Sequence, residues 1–209
     1  KRGGGGVQAK QGVSDLAKKP ATAFLLGVNL AVAYYLWAYR VSLESVAISY
    51  IGFWESKEYW RVLTASFSHF EVMHLAFNSI SLWNLGELEP MLGSFGYLYL
   101  SFDLVVTTIV LVVLAQHALT RRGGGGGGGP RGLEGDSKAV GYSCVLFALM
   151  TLASVAQQRF CPLPFFPNFC FSTWFLPTPV NGWKLAVNLG PFALLFLVQF
   201  VIPRAGFLG

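Results

Sequence analysis

The feature that most constrains this chain is a set of long apolar runs that carry almost no charge. A run of about 20 such residues suffices to cross the hydrocarbon core of a bilayer, which is about 30 Å thick. Lipid offers backbone groups no water to bond with, so such runs form helices, and none alternates polar and apolar residues as a spanning strand would. The sequence therefore predicts an all-α fold, a polytopic bundle of membrane helices, with spans at 21–39, 72–92, 95–119, 139–157 and 185–202.

The composition excludes the main alternatives to a membrane protein. Only 12% of the residues are charged, against about 25% in soluble domains, so a soluble globular enzyme is excluded. Aromatic residues make up 15% of the chain, which is too many for a mostly disordered protein. Three cysteines in 209 residues are too few for a disulfide-stapled secreted module.

The segments outside the spans divide by composition. Residues 1–20 form a basic, glycine-rich tail, and 21–209 form the membrane domain. Residues 121–138 contain seven consecutive glycines, and we expect this loop to be disordered. The aromatic residues of 40–71 suit a membrane–water interface. Five prolines in 158–184 exclude a continuous helix there.

The basic tail bears on orientation and location. The first span and its tail usually dominate membrane orientation, so we expect the amino end in the cytosol or an equivalent stromal or matrix compartment. The tail suits anionic lipid headgroups rather than nucleic acid. We expect an integral, multi-pass protein of an endomembrane or organelle membrane. Cys161 and Cys170 flank a loop and could pair, but they would then face a reducing compartment, so we expect free thiols. With Cys144 they form no metal-binding pattern.

Two polar side chains lie one helical turn apart in the second span. His74 and Asn78 have i, i+4 spacing, which places them on one helix face. Polar groups in a membrane span are costly and are candidates for function. Both side chains can donate to a developing anion. They can equally bond neighbouring helices, and the spacing leaves both interpretations open.

A serine begins the fourth span after a glycine that permits close backbone approach. Ser143 lies in the first turn of an apolar helix, where free N–H groups and the helix dipole favour negative charge. Gly141 stands two residues earlier. The hydroxyl could be a nucleophile whose own N–H helps to hold an oxyanion, or it could bond a nearby carbonyl, as many serines in spans do.

Together these segments predict one site. Two crossings separate the start of the second span from the start of the fourth, so both lie at the same membrane side. A hydroxyl from one helix and two donors from the other form the arrangement that acyl transfer requires. The sequence therefore predicts a site made by Ser143, His74 and Asn78.

From about residue 20 to the end, the sequence resembles the rhomboid intramembrane serine proteases. The resemblance lies in Trp60-Arg61, in His69 with His74 and Asn78, in Gly86-Glu87-Leu88-Glu89 with Gly93-Ser94, and in Gly141-Tyr142-Ser143. It implies a six-helix core, of which this chain holds five, and cleavage of transmembrane substrates without a metal or cofactor.

The resemblance also implies the roles of individual residues. Ser143 would be the nucleophile, and His74 and Asn78 with the Ser143 N–H would stabilise the oxyanion, with Gly141 helping to position it. His69, Glu89 and the Trp60-Arg61 pair would be structural, and Phe147 would lie where the family places an aromatic ring against the catalytic histidine.

The sequence departs from the family pattern in two ways. Cys144 stands where many active members have glycine. Rhomboids use a serine–histidine dyad with the histidine on the sixth helix, whereas this chain has only His69, His74 and His117, all before Ser143. We therefore expect the sequence to stop just before the base, and the 209-residue chain not to hydrolyse peptides. The alternative is a catalytically inactive rhomboid-like protein that binds or escorts transmembrane clients. Its oligomeric state is not predicted.

Overall fold

The computed structural model of the chain describes residues 16–122, 138–162, 168–178 and 183–201. Most of the basic tail and of the glycine-rich loop lies outside these described residues. The described part is mostly helical. Its helices are α1 (Pro20–Ala38), α2 (Leu43–Val46), α3 (Tyr50–Trp54), α4 (Arg61–Phe67), α5 (Val72–Leu85), α6 (Glu89–Arg122), α7 (Ser143–Ala156) and α8 (Gly190–Val201), and its strands are β1 (Arg159–Phe160), β2 (Phe171–Ser172), β3 (Trp174–Pro177) and β4 (Lys184–Val187).

Within the described ranges, two helical stretches are long and apolar enough to cross a membrane, Pro20–Ala38 and Val72–Ala115. The second contains α5 and most of α6, which are joined by one 3-10 turn at Gly86–Leu88. The break within it lies at Gly93, where φ is 73° and ψ is 152°. That backbone region is essentially restricted to glycine. This break falls between the predicted second span (72–92) and third span (95–119), so the stretch consists of two helical parts that meet at a glycine kink.

The predicted boundaries of the fourth and fifth spans are wrong. Helix α7 begins at Ser143, because Ala139 forms a β-bridge with Ile48 instead of starting the helix. Helix α8 begins at Gly190, and the stretch before it forms β4. The Asn188 Oδ1 accepts a hydrogen bond of 2.8 Å from the Gly190 N–H, and Pro191 suits the first helical turn.

Glu89 joins the start of α6 to the start of α1. Its carboxylate is 1% exposed and accepts from the Ala21 N–H at 2.9 Å and the Thr22 N–H at 2.8 Å. The Thr22 and Ser94 hydroxyls each donate to it at 2.7 Å. A carboxylate at a helix N-terminus satisfies donors that the helix cannot and complements its dipole. Glu89 therefore fixes α1 against α6.

Arg61 organises the segment between α1 and α5. Its guanidinium donates to the Glu44 carbonyl at 2.6 Å and the Ala47 carbonyl at 2.9 Å, and it pairs with the Glu58 carboxylate at 2.7 Å. The same group lies 4.9 Å from the centre of the Trp60 ring. These contacts attach α2 to α4.

The proline-rich segment after α7 forms two short antiparallel hairpins. Its prolines exclude a continuous helix, as the sequence predicts. Strand β1 pairs with β2, and β3 pairs with β4. Cys161 and Cys170 form a disulfide beside the first pair, so the expectation of free thiols is wrong for the structure. The reason is the register, because β1 and β2 bring the two flanking cysteines face to face.

The main core lies where α1, α5, α6 and α7 pack together. Its most buried side chains include Leu82, Tyr97, Val105 and Leu149. Gly86 permits the close approach of the 3-10 turn to α1, because a Cβ there would lie 2.8 Å from the Thr22 side chain. This packing fixes α5 beside α7, and these two helices carry the predicted site.

Candidate active site

The chain is tightly held immediately before α7. The Gly141 N–H donates to the Ala65 carbonyl at 2.8 Å. The buried ring of Tyr142 stacks on Phe67 with ring centres 5.3 Å apart. Both contacts attach the start of α7 to helix α4. Ser143 is therefore presented from a fixed backbone, and rigid support of this kind is what a reactive group needs.

Gly141 lies directly against the ring of His74. Its φ is 110°, a conformation that side chains other than glycine rarely adopt. A Cβ at this position would lie 2.5 Å from Cε1 and 2.9 Å from Nε2 of His74. The imidazole of α5 thus occupies the space beside the backbone two residues before Ser143.

Asn78 lies one turn after His74 on the same helix. Its side-chain nitrogen donates to the His74 carbonyl at 2.8 Å, and the residue is buried. Its Oδ1 has no hydrogen-bond partner within the described ranges. The amide holds a second N–H, which the bond to the His74 carbonyl leaves for another acceptor.

His69 packs against His74. Its ring centre lies 5.0 Å from that of His74, in an edge-to-face arrangement. Its Nδ1 lies 3.2 Å from the Phe67 carbonyl, so Nδ1 carries the proton that is donated there. The ring is fully buried and packs against that of His74.

Ser143 is the first residue of α7 and is half-buried. Among the residues that the structure describes, its hydroxyl has no hydrogen-bond partner. The preceding Tyr142 provides no side-chain cap, so the first N–H groups of α7 remain available to an anion. Cys144 follows and is exposed. The His74 imidazole lies against Gly141, two residues before this hydroxyl, and N–H groups together with an imidazole can bind a tetrahedral oxyanion.

Phe147 and His117 have contacts of their own. Phe147 is half-buried and packs against the main core. His117 is near the end of α6, and its ring lies 5.5 Å from that of Trp54 in α3. A cavity of about 310 Å³ lies at the other end of α7, where Ser81 and Met150 are among its lining residues.

Sequence reasoning missed the partners that support the site. The Tyr142–Phe67 stack and the Thr22 and Ser94 hydroxyls on Glu89 were not predicted. A hydroxyl in the first turn of an apolar span, as at Thr22, indicates a nearby buried hydrogen-bond acceptor and could have pointed to Glu89. The ring stack has no local signature, because Phe67 ends α4 and Tyr142 precedes α7.

We expect Gly141→Ala to abolish any function of this site. The new methyl would collide with the His74 ring, and the positive φ would add strain of about 1–3 kcal/mol. Gly93→Ala is the matched control, because Gly93 has a φ of 73° with open space around its Cβ position. Thermal unfolding in detergent, and the activity of the full-length protein per folded molecule, separate the two. Equal activity in both variants would contradict the contact with His74.

We expect stability to fall on acidification through His69. Burial, with a smaller contribution from the neighbouring His74, lowers the pKa of His69 from 6.5 to about 4. Between these values the unfolded chain binds more protons, so the free energy of unfolding decreases as the pH falls from 6.5 to 4, by about 3 kcal/mol. Unfolding curves across this range measure it, and His69→Gln should flatten the dependence. If the free energy of unfolding of His69→Gln depends on pH as strongly as that of the wild type, other groups cause the loss of stability.

The sequence matches the family model of the rhomboid domain over residues 56–208. No curated protein and no solved structure matches the chain. The matched region covers most of the chain and includes helices α4 to α8 with the arrangement around Ser143. The chain therefore belongs to the rhomboid family and is a membrane protein built as a bundle of helices.

Proposed function

We propose that this chain is the core of an intramembrane serine protease in which Ser143 is the nucleophile. The observation that carries the proposal is the contact between the His74 ring and Gly141, at the uncapped start of the helix that Ser143 begins. Helices α1, α5, α6, α7 and α8 would be five of a six-helix core that crosses the membrane several times. Membership of a family that generally comprises intramembrane serine proteases supports this.

The chemistry follows from the groups at this position. The Ser143 oxygen attacks the carbonyl carbon of a substrate peptide bond while its proton passes to an imidazole base. The carbonyl oxygen becomes an oxyanion, which the Ser143 N–H and the His74 and Asn78 side chains stabilise. Collapse breaks the C–N bond, and the departing amine takes the proton from the base. Water then hydrolyses the acyl-enzyme by the same steps.

The base is the part of this dyad that the 209 residues do not contain. A serine hydroxyl is a weak nucleophile without an adjacent base. His69, His74 and His117 all precede Ser143, and His74 is assigned to the oxyanion. The proposal therefore places the catalytic histidine outside these residues and predicts that the 209-residue chain alone is inactive.

The substrate would be a transmembrane helix. The start of α7 lies at one end of a 14-residue apolar helix, so cleavage would occur near one membrane surface. A helical peptide bond has its carbonyl hydrogen-bonded, and this carbonyl must be released before attack. We therefore propose substrates whose helix is locally destabilised near that surface, in an endomembrane or organelle membrane.

A non-catalytic role is the second candidate. It is favoured by the position of all three histidines before Ser143 and by Cys144 in the first turn of α7. Such a protein would bind or escort transmembrane clients. Reconstituting the full-length protein with a transmembrane substrate separates the two, because only the protease yields two fragments, and only with Ser143 intact.

We expect Asn78→Ala to lower kcat of the full-length protein by about 10²- to 10³-fold, because it removes one oxyanion donor. Ser81→Ala is the matched control, since Ser81 lies on the same helix and lines the distant cavity. Cleavage rates in liposomes measure both. An Asn78→Ala variant that is folded and as active as the control would remove Asn78 from the proposed site.

A further inference from the structure

The second hairpin, β3–β4, has one wholly apolar face that is largely exposed in the described chain, with only Val187 half-buried. Directly opposed residues of an antiparallel pair lie on one face, and successive residues alternate between faces. Trp174 pairs with Val187, and Leu176 pairs with Leu185, so these four side chains share a face. Trp174 is 66% exposed, Leu176 46% and Leu185 56%. We call this set the apolar hairpin face.

The opposite face differs by carrying a charge. Its Phe175, which is 56% exposed, lies opposite Ala186, and Pro177 lies opposite Lys184. Lys184 is exposed and has no ion-pair partner among the described residues. Trp183, next to Lys184, is 74% exposed. A ribbon with one apolar face, a lysine on the other and a tryptophan beside it has the composition of a membrane–water interface.

The base of the hairpin is fixed to the ends of two helices. The Asn188 side chain donates to the Phe171 carbonyl at 3.1 Å and to the Thr173 hydroxyl at 2.9 Å. That hydroxyl lies 2.7 Å from the Ser154 carbonyl at the end of α7, and α8 begins at Gly190. The hairpin therefore lies at the end of α7 opposite to Ser143, where the apolar surfaces of the helices end.

We propose that the apolar hairpin face lies in the lipid leaflet at this end of the bundle and anchors the connection between α7 and α8. Its depth is limited by backbone chemistry. Four-residue strands are about 13 Å long, too short to cross the bilayer, and the unpaired edges of a two-stranded ribbon need water or headgroups. The hairpin therefore lies flat in the interface, with Lys184 towards phosphate groups. This proposal depends on the membrane location and not on the proposed protease.

Tryptophan quenching in bilayers tests the proposal on the full chain. The difference in emission between the wild type and Trp174→Phe isolates Trp174, and aromatic exchange at an exposed position leaves the fold intact. In liposomes of phosphatidylcholine brominated on its acyl chains, we expect strong quenching of this component. Acrylamide in the aqueous phase should quench it weakly.

The matched control lies one residue away on the other face. Phe175→Trp, introduced into Trp174→Phe, should show the opposite preference, with less quenching by brominated lipid and more by acrylamide. Equal lipid quenching at the two positions would overturn the proposal, and so would Trp174 emission quenched mainly by acrylamide. Resistance of Trp174 to both quenchers would show that protein covers the face, which would also overturn it.

Discussion

Ser143→Ala is expected to abolish cleavage of a transmembrane substrate by the full-length protein. Removal of a serine nucleophile from a comparable dyad or triad lowers kcat by roughly 10⁶-fold, which takes the rate below detection. The substitution removes one oxygen from a half-buried side chain that has no hydrogen-bond partner in the described structure. Loss of stability should therefore be small, and the lost activity reports the chemistry alone.

Cys144 provides the control for this result. It is the adjacent nucleophile and it is exposed, so residual cleavage in Ser143→Ala could come from its thiol. The Cys144→Gly variant should retain activity, because it restores the residue that many active rhomboid-like sequences have there. If Cys144→Gly loses activity and Ser143→Ala keeps it, the nucleophile has been assigned to the wrong residue.

Glu89→Ala is expected to have the largest effect on stability. The substitution leaves the Ala21 and Thr22 N–H groups and two hydroxyls without their acceptor in a buried site. Removing one partner of a buried charged network costs about 3–5 kcal/mol, and we expect about 4 kcal/mol here. Unfolding of the detergent-solubilised protein by heat or by a denaturing detergent measures the change.

Glu87→Gln is the matched control, because Glu87 lies two residues earlier and its side chain is 58% exposed. Its carboxylate pairs with the largely buried Lys19 ammonium, and the glutamine oxygen of Glu87→Gln can still accept a hydrogen bond from it, so we expect a loss of about 1 kcal/mol. The loss of stability in Glu89→Ala should therefore be several times larger than that in Glu87→Gln. Equal effects would mean that the Glu89 carboxylate does not hold α1 against α6.

The helical elements could be predicted because a membrane span is a local property of composition. The α1 helix shows this, since the predicted 21–39 and the observed Pro20–Ala38 differ by one residue at each end. The shared helix face of His74 and Asn78 is local too, since it follows from their spacing, and the structure shows them in contact through the His74 carbonyl.

The rest depends on contacts between distant parts of the chain. Residues 185–187 are as apolar as the helix that follows, and their pairing with β3 decides that they form a strand. The pairing of Cys161 with Cys170 likewise follows from the β1–β2 register. The four bonds that Glu89 accepts include partners 67 and 68 residues away, which no local pattern indicates.

The central claim is that Ser143 is an activated nucleophile beside His74 and Asn78. Labelling of the full-length protein in membranes with a fluorophosphonate, followed by mapping of the modified peptide by mass spectrometry, tests it most directly. The account predicts covalent modification at Ser143 that disappears in Ser143→Ala and is strongly reduced in His74→Ala. Absence of labelling in the folded full-length protein, or labelling that persists in Ser143→Ala, would contradict it.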